Sequence, residues 1–439
     1  MSARDLGEAI VGRIRGVVEE YIVSVTERDS IMVKYANGEV TVTQSWRDYI
    51  VYVYLAKGGK MTASRFTARD PGEAVAVTAR LVDKLSPSPL YAPLPQPTGK
   101  PSSALDPRIR ESCISGDPRG LVEDFDVTPY GNIAGMVSLE YNNVYFIGSN
   151  GLDAGFETTS YNGYLRVFRG DDSGQWAWTS TRYDVSLAVR AAEKALELAR
   201  LCEGLPKERV EGGVYRVLLS PMVAGNLLES VAYAATAGSL ILGFSFLQGR
   251  RRGDVIASEK LTLRDTPLND SLPGYRSFDD EGIATRDKAV IEKGEFRGFL
   301  HNTKTARILN EETTGNAGWI LPRLFNIEVE SGSLREDEML EALREGIYAT
   351  NNWYTRFQNY LEGQFSTVTR DALVIVRGGK PVACSKRARL TGTLPELLAN
   401  VEELSRERWQ IQWWEVETPS ILPHILISKL GVTAETGAL

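Results

Sequence analysis

The sequence predicts an α+β protein of two domains. The N-terminal domain is expected to contain a curved antiparallel sheet with covering helices, and the C-terminal domain a mostly antiparallel β structure with a few helices. Three observations support this class. The chain has 439 residues, which is longer than a domain with a single hydrophobic core usually is. Alternating apolar residues flank Asn-Gly pairs, which is typical of hairpins. Apolar residues spaced by three and four recur between them, which is typical of helices.

A helix and two hairpins are predicted first. Apolar residues at helical spacing predict an amphipathic helix over roughly 4–21. Alternating residues on both sides of Asn37-Gly38 predict a hairpin, because a type I′ turn needs positive φ at both central positions. A second hairpin is expected to turn at 57–60.

Another helix and a proline-rich connection follow. Asp70 is a favourable cap and Pro71 a favourable first helical residue, so a helix is expected from there to about Leu85. Prolines are then frequent over residues 86–101. They predict a stiff, extended connection within the first domain.

The hairpin-then-helix pattern occurs a second time. Asn150-Gly151 lies 113 residues after Asn37-Gly38, a strand pair is expected to turn at 170–174, and a helix runs from 184 to 202. An internal repeat explains this order. Residue identity between the copies is low, so two unrelated meanders are the alternative.

Glycines between 203 and 213 place a domain boundary near residue 210. The predicted domains are therefore 1–210 and 211–439. Further elements expected in the second domain are a strand at 214–219, helices at 221–237, 334–348 and 394–404, and strands at 372–376, around 382 and at 420–428.

Composition argues against several classes of protein. The formal net charge of −7 does not favour broad binding to nucleic-acid backbones. The most apolar stretch, 218–247, is interrupted by proline, asparagine and glutamate, so a buried element is expected there and no membrane span. The N-terminus lacks a signal-peptide layout. Cys113, Cys202 and Cys384 are far apart and predict neither a disulfide framework nor a CxxC site. We therefore expect a soluble, cytoplasmic protein.

Several short segments of the second half follow one another in a distinctive order. They are Phe278–Gly282 (FDDEG), Ala289–Gly294 (AVIEKG), Gly298–Asn302 (GFLHN), Thr314–Ala317 (TGNA) and Thr418–Ser420 (TPS). In this order and spacing they resemble the C-terminal motifs of the TldD/TldE (PmbA) family of proteases, also called modulators of DNA gyrase. The hairpin-helix pattern of the first half fits the same family, so the resemblance spans nearly the whole chain and implies that fold.

In that family the active member carries H-E-x-x-x-H on a helix, and a later Cys completes a zinc site. Two imidazoles and a thiolate hold the metal, and the Glu acts as base for a metal-bound water. The corresponding helix here is 221–237. Glu229 and Ala234 fall near the two His positions, and Ser230 falls near the catalytic Glu.

A shift of register does not restore the zinc site. Neither His nor Cys occurs between Cys202 and His301, and the segment 408–417 lacks the later Cys. The resemblance therefore implies a TldE-like subunit with no metal and no catalytic residue of its own. Zinc is expected only in a TldD-like partner, with which the chain would enclose and help cleave unfolded or extended peptides.

Two alternatives stay open. The chain could form a homodimer that binds peptides without cutting them, or it could be a hydrolase whose acids Asp279, Asp280 and Glu281 bind a divalent ion. We expect neither nucleic acid nor a membrane as a partner.

The resemblance also implies a surface that contacts the substrate. The predicted lining residues of the peptide chamber are Asp279, Asp280, Glu281, Thr314, Gly315 and Asn316. For the three acids the alternative is a solvated turn, and for the other three a plain loop. His301 and His424 are expected to have structural roles.

Overall fold

The computed structural model describes residues 1–434 and consists of two sheets with covering helices. One sheet has seven strands and the other eleven. The predicted α+β class is confirmed.

The first part of the chain forms the seven-stranded sheet. Its elements are α1 (Ala3–Ile14), β1 (Glu20–Ala36), β2 (Glu39–Lys57), β3 (Lys60–Ala68), α2 (Pro71–Leu81), β4 (Ser86–Pro87), α3 (Pro107–Ser115), α4 (Arg119–Asp124), β5 (Ile133–Gly148), β6 (Asp153–Arg169), β7 (Asp172–Ser180) and α5 (Val185–Arg200). The strand order is β4-β3-β2-β1-β5-β6-β7, and every neighbouring pair is antiparallel.

The sheet contains two copies of the same three-stranded meander. Strands β5, β6 and β7 begin and end within one residue of β1, β2 and β3 shifted by 113 positions, and a helix follows each set. Asn37 and Gly38 both have positive φ, as the predicted hairpin turn requires. The two meanders join through the antiparallel pair β1–β5. The architecture therefore has the form that the repeat interpretation predicts.

The second part of the chain forms the eleven-stranded sheet. Its elements are β8 (Gly213–Leu219), α6 (Pro221–Ala234), α7 (Ala237–Ile241), β9 (Leu263–Asp265), β10 (Lys288–Glu292), β11 (Glu295–Phe296), α8 (Thr303–Leu309), β12 (Ile327–Val329), α9 (Met339–Leu343), β13 (Gly346–Asn359), β14 (Gln364–Arg377), β15 (Lys380–Ser385), β16 (Ala388–Thr393), α10 (Leu394–Ala399), β17 (Val401–Trp413) and β18 (Val416–Ala434). Pairings among β18, β16, β14, β13 and β8 form a closed ring. Most pairings are antiparallel, but β8–β13 and β12–β18 are parallel.

Three predicted helices were too long, because tertiary strand pairing replaces the local helical pattern. The first ends at Ile14, and β1 begins six residues later. The helix predicted over 334–348 is α only at Met339–Leu343, because Ile347 pairs with β14 and β8. The helix predicted over 394–404 ends at Ala399, after which β17 pairs with β18.

The largest apolar core crosses the predicted boundary near residue 210. It joins Trp176 of β7 and Leu198 of α5 to Val217 of β8 and Ile425 of β18. The two sheets therefore share buried side chains. The independence of domains 1–210 and 211–439 stays a prediction.

The proline-rich connection lies against the second part of the chain. After β4 it has no regular structure. The N–H groups of Thr98 and Gly99 both donate to the Gly282 carbonyl at 3.0 Å, and the Asn150 side-chain amide donates to the Pro95 carbonyl at 2.7 Å. The connection is therefore extended, as expected, and bonded to both sheets.

The cysteines predicted no disulfide framework, and the structure contains one disulfide that the sequence did not predict. Cys202, just after α5, is bonded to Cys384 of β15. Their separation of 182 residues leaves no sequence pattern that could reveal the pair. Cys113 is a buried free thiol. None of the helices within residues 1–434 has the length and apolar character to cross a bilayer.

Candidate functional site

Helix α6 carries the three positions at which the family's zinc motif is expected. Ser220 caps the helix, Pro221 occupies its first turn, and most of its residues are buried. The helix packs on β18 and β13. The hairpin between β17 and β18 adjoins it, because the Asn226 side chain donates to the Glu415 carbonyl at 2.7 Å.

Glu229 is a buried side chain with a structural partner. Its carboxylate accepts the backbone N–H of Thr418 at 2.6 Å and that of Glu417 at 3.3 Å. Burial raises the pKa of this carboxyl group. Glu229 therefore fixes the start of β18, the strand that contains the TPS motif, and its oxygens are already engaged.

Ser230 and Ala234 line a cavity of about 270 Å³ on the outer side of α6. Its wall is mainly aromatic, formed by Tyr233, Phe244, Phe246, Phe357 and Tyr360. The rings of Phe244 and Tyr360 pack edge to face with centroids 5.3 Å apart. We call this the α6 cavity.

The residues at the zinc-motif positions do not fit zinc. Ala234 has no ligand atom, the Ser230 hydroxyl donates to the Asn226 carbonyl at 3.3 Å, and Glu229 is occupied by backbone amides. Structural and catalytic zinc sites need His, Cys or carboxylate ligands arranged around one point. Among residues 1–434, no three His, Cys, Asp or Glu side chains converge in this way.

The acid block lies in the interior between the two sheets. The Asp279 carboxylate accepts the N–H groups of Glu281 and Ile283 at 3.0 Å and of Ala317 at 2.9 Å. Burial and the neighbouring Glu281 charge raise the pKa of Asp279 to about 7. Asp280 faces the guanidinium of Arg276 at 3.5 Å.

Glu281 forms a buried ion pair. Its carboxylate lies 2.5 Å from the Lys304 ammonium and accepts the Thr303 N–H at 3.0 Å. The same ammonium lies 4.6 Å from the centre of the Tyr54 ring, in the seven-stranded sheet. The alternative of a solvated turn was therefore wrong, because the three acids are bonded to amides and cations inside the protein. Contact between Asp279, Asp280 or Glu281 and a peptide stays a prediction.

The TGNA segment is closely bonded to its neighbours. Thr314 accepts the His301 N–H at 2.7 Å. Gly315 has φ +70°, and a Cβ there would lie 2.6 Å from the Ala284 carbonyl oxygen, so the position requires glycine. The buried Asn316 amide donates to Asp265 at 2.7 Å. Whether Thr314, Gly315 and Asn316 line a peptide chamber stays a prediction.

Both histidines are buried, as their expected structural roles require. His301 Nδ1 lies 3.3 Å from the Thr305 hydroxyl, and burial lowers its pKa. His424 Nε2 lies 3.0 Å from the Tyr348 hydroxyl, and burial lowers the pKa of His424 to about 4.

Sequence reasoning missed a second, larger cavity of about 410 Å³ where the two sheets meet. Its wall includes Arg166 of β6, Arg370 of β14, Arg387, Trp353 and Trp414. We call it the basic cavity. The only local signal in the sequence was the Trp-rich end of β17, where Trp414 is 57% exposed.

Comparison with known proteins identifies relatives over about half of the chain. Residues 212–434 match the family described as PmbA/TldA metallopeptidase C-terminal domain. A metalloprotease of Synechocystis is 28% identical over 264 residues, 58% of this chain and 52% of the relative. A metalloprotease TldD homologue of Haemophilus influenzae is 26% identical over 49% of this chain and 45% of its own. The chain thus spans about half the length of the curated relatives it matches.

A solved structure shares the complete fold. The crystal structure of TldE from Thermococcus kodakarensis superposes with a TM-score of 0.81 at 20% identity, over 98% of this chain and 100% of that one. This likeness confirms the architecture that the sequence motifs implied.

Proposed function

Because this chain belongs to the PmbA/TldD metallopeptidase family, we propose that it is the metal-free subunit of a two-chain metallopeptidase. In this proposal a zinc-bearing, TldD-like partner supplies the catalytic site. The chain described here completes the enclosure and holds an unfolded or extended peptide. The localisation expected for the pair is cytoplasmic.

The observation that carries the proposal is the α6 cavity. At the positions of the family's zinc motif, α6 presents a hydroxyl and a methyl group to a mainly aromatic cavity, while the one carboxylate is turned onto β18. Aromatic walls with few polar groups are typical of ligand sites. The cavity volume of about 270 Å³ is large enough for one large apolar side chain.

The surface around the α6 cavity supports association with a second chain. Tyr233, Leu242, Phe244, Tyr360 and Leu361 are 44–53% exposed there. Aromatic residues are enriched in the centres of protein interfaces. A peptide held in the α6 cavity would then lie between the two subunits, close to a zinc ion in the partner.

The carboxylate hydrolase is the weaker alternative. A divalent ion needs several free oxygen ligands, whereas Asp279 and Glu281 are bonded to backbone amides and to Lys304. The homodimeric peptide-binding protein is distinguished from the proposed pair by experiment.

The experiment is copurification followed by reconstitution. The tagged chain is isolated from its own organism, its partners are identified by mass spectrometry, and zinc is measured in each separated chain. We expect a partner with H-E-x-x-x-H, zinc in that partner only, and cleavage of an unfolded protein only by the mixture. Stoichiometric zinc in this chain, or peptidase activity of this chain alone, would contradict the proposal. A lone homodimer that binds peptide would favour the binding-protein alternative.

A variant of the α6 cavity tests the role of the cavity itself. Phe244→Ser removes a half-exposed ring from its wall. In the reconstituted pair it should raise KM for an apolar peptide about tenfold, since an aromatic contact that the bound peptide buries contributes about 1.5 kcal/mol or more. Ile114→Ser is the matched control, because Ile114 is 46% exposed on α3 and lines no part of the α6 cavity. Equal effects of the two substitutions would contradict a binding role.

A further inference from the structure

The basic cavity contains two kinds of charged group, those that are neutralised and those that are not. Arg166 is paired with Asp371 at 2.5 Å, and Lys207 is paired with Asp172. Asp371 also accepts hydrogen bonds from Ser173 and from the Asn351 amide, each at 2.7 Å. These pairs form the floor of the cavity and leave no charge for a ligand.

Three cations remain around this floor. Arg370, Lys386 and Arg387 line the cavity, and none of them makes a side-chain hydrogen bond to a carboxylate within residues 1–434. Arg370 lies 3.8 Å from the Asp371 carboxylate, which is too long for a hydrogen bond, and the Glu415 carboxylate acts on it from further away. One further acid, Asp171, reaches the cavity. The free groups therefore have a net charge of about +2.

Arg370 is the most unusual of these cations. Its side chain is only 21% exposed, and it lies 5.4 Å from the centre of the Trp414 ring. Burial lowers its pKa. Arg387 is exposed and lies 6.0 Å from the Trp353 ring. A guanidinium that is largely removed from water without a hydrogen-bond acceptor is unfavourable until an anion binds it.

The position of the basic cavity relates it to the α6 cavity. Trp353 of the basic cavity and Phe357 of the α6 cavity lie four residues apart on β13. At about 3.3 Å per residue the two positions are at most roughly 13 Å apart, because β13 is irregular between them, where Tyr354 has a φ of 59°. An extended peptide of about four residues covers the same distance.

We propose that the basic cavity binds a carboxylate of the extended peptide, either its C-terminal carboxylate or that of an acidic side chain near the end. The planar guanidinium groups of Arg370 and Arg387 provide paired donors that match a carboxylate. Trp353 and Trp414 form apolar walls beside it. The inference rests on the proposed function, because it names the class of peptide that the chain would hold.

Calorimetric titration of the full-length chain with three peptides tests the inference. The peptides share one apolar, otherwise uncharged sequence and end in a free acid, in an amide, or in an amide preceded by glutamate. We expect the free acid to bind at least about tenfold more tightly than the plain amide, since hydrogen bonds between charged groups are the strong ones. Tight binding of the glutamate peptide would assign the site to side-chain carboxylates as well.

Variants connect the preference to the cavity. Arg387→Gln, at an exposed position, and Arg370→Gln should each remove most of the difference between acid and amide without weakening the amide. Arg251→Gln is the matched control, because Arg251 is exposed and lines neither cavity; it should keep the full difference.

The outcomes separate the two proposals. Equal binding of the three peptides would overturn the carboxylate site and leave the metal-free subunit intact. A preference for the acid that survives Arg387→Gln and Arg370→Gln would also overturn it. Binding of none of the peptides would overturn both the carboxylate site and the peptide-holding role.

Discussion

Loss of the Cys202–Cys384 bond should destabilise the protein strongly. The bond closes a loop with a sequence separation of 182 residues. In the loop-entropy relation, constraining a loop of this length stabilises the folded state by up to about 5 kcal/mol. The bond also joins the two parts of the chain, since Cys202 follows α5 and Cys384 lies in β15. Reduction should therefore lower the free energy of unfolding without removing any buried apolar contact.

Urea unfolding with and without a reductant measures the effect. With a slope of about 3 kcal/mol per molar urea, a loss of 5 kcal/mol lowers the midpoint by roughly 1.7 M. Tryptophan fluorescence and far-UV circular dichroism report the transition. The double variant Cys202→Ser/Cys384→Ser should unfold at the lower midpoint in both conditions.

Cys113→Ser is the matched control, because the Cys113 thiol is buried and free. This variant should keep the full dependence on reductant. Thiol titration of the unfolded, unreduced protein should give one thiol per chain. Three thiols, or identical midpoints with and without reductant, would refute the assignment of the bond.

Three further changes have definite expected results. Lys304→Met leaves Glu281 as an unpaired buried charge and should lower the free energy of unfolding in urea by about 3–5 kcal/mol. Adding Glu281→Gln should recover part of this free energy. No recovery in the double variant would contradict the pairing. Glu229→Ala leaves two backbone amides without an acceptor and should cost roughly 2 kcal/mol or more; Glu229→Gln, which keeps an acceptor, should cost less. His424 has its pKa lowered to about 4 by burial, so between pH 6.5 and 4 the unfolded chain binds a proton that the folded chain does not. Stability should fall as pH falls through this window, by about 2 kcal/mol between pH 7 and 5 from this group, and His424→Gln should lose correspondingly less. Equal losses in the two proteins would contradict the neutral, buried state of His424.

The sequence predicted the elements that depend on residues close to one another along the chain. The Asn37-Gly38 turn and the second meander 113 residues later were visible because turn residues and alternation are local signals. The helix predicted over 334–348 was too long because the partner strands of Ile347 are remote in sequence. The helix predicted over 394–404 was too long for the same reason. It ends at Ala399, because the following residues form β17 and pair with β18.

The candidate site was predictable only in part for the same reason. The absence of His and Cys from α6 was evident from the sequence, but the partner of Glu229 lies 189 residues away at Thr418. The basic cavity brings Arg166 together with Arg370 and Trp414 from separate segments. No spacing rule connects such residues, so only the folded structure reveals that their charges are unbalanced.

The proline-rich connection has a consequence for how the chain would respond to cleavage. A protease that cut the backbone near residue 210 would leave Thr98 and Gly99 bonded to Gly282, on the far side of the cut. The apolar core that contains Trp176 and Ile425 would also stay closed across it. The Cys202–Cys384 bond also links the two fragments covalently. The fragments should therefore migrate as one particle in gel filtration and separate only under conditions that are both denaturing and reducing. For the same reason, the two parts produced as separate polypeptides should reassemble when mixed, with residues 95–99 as part of their contact surface.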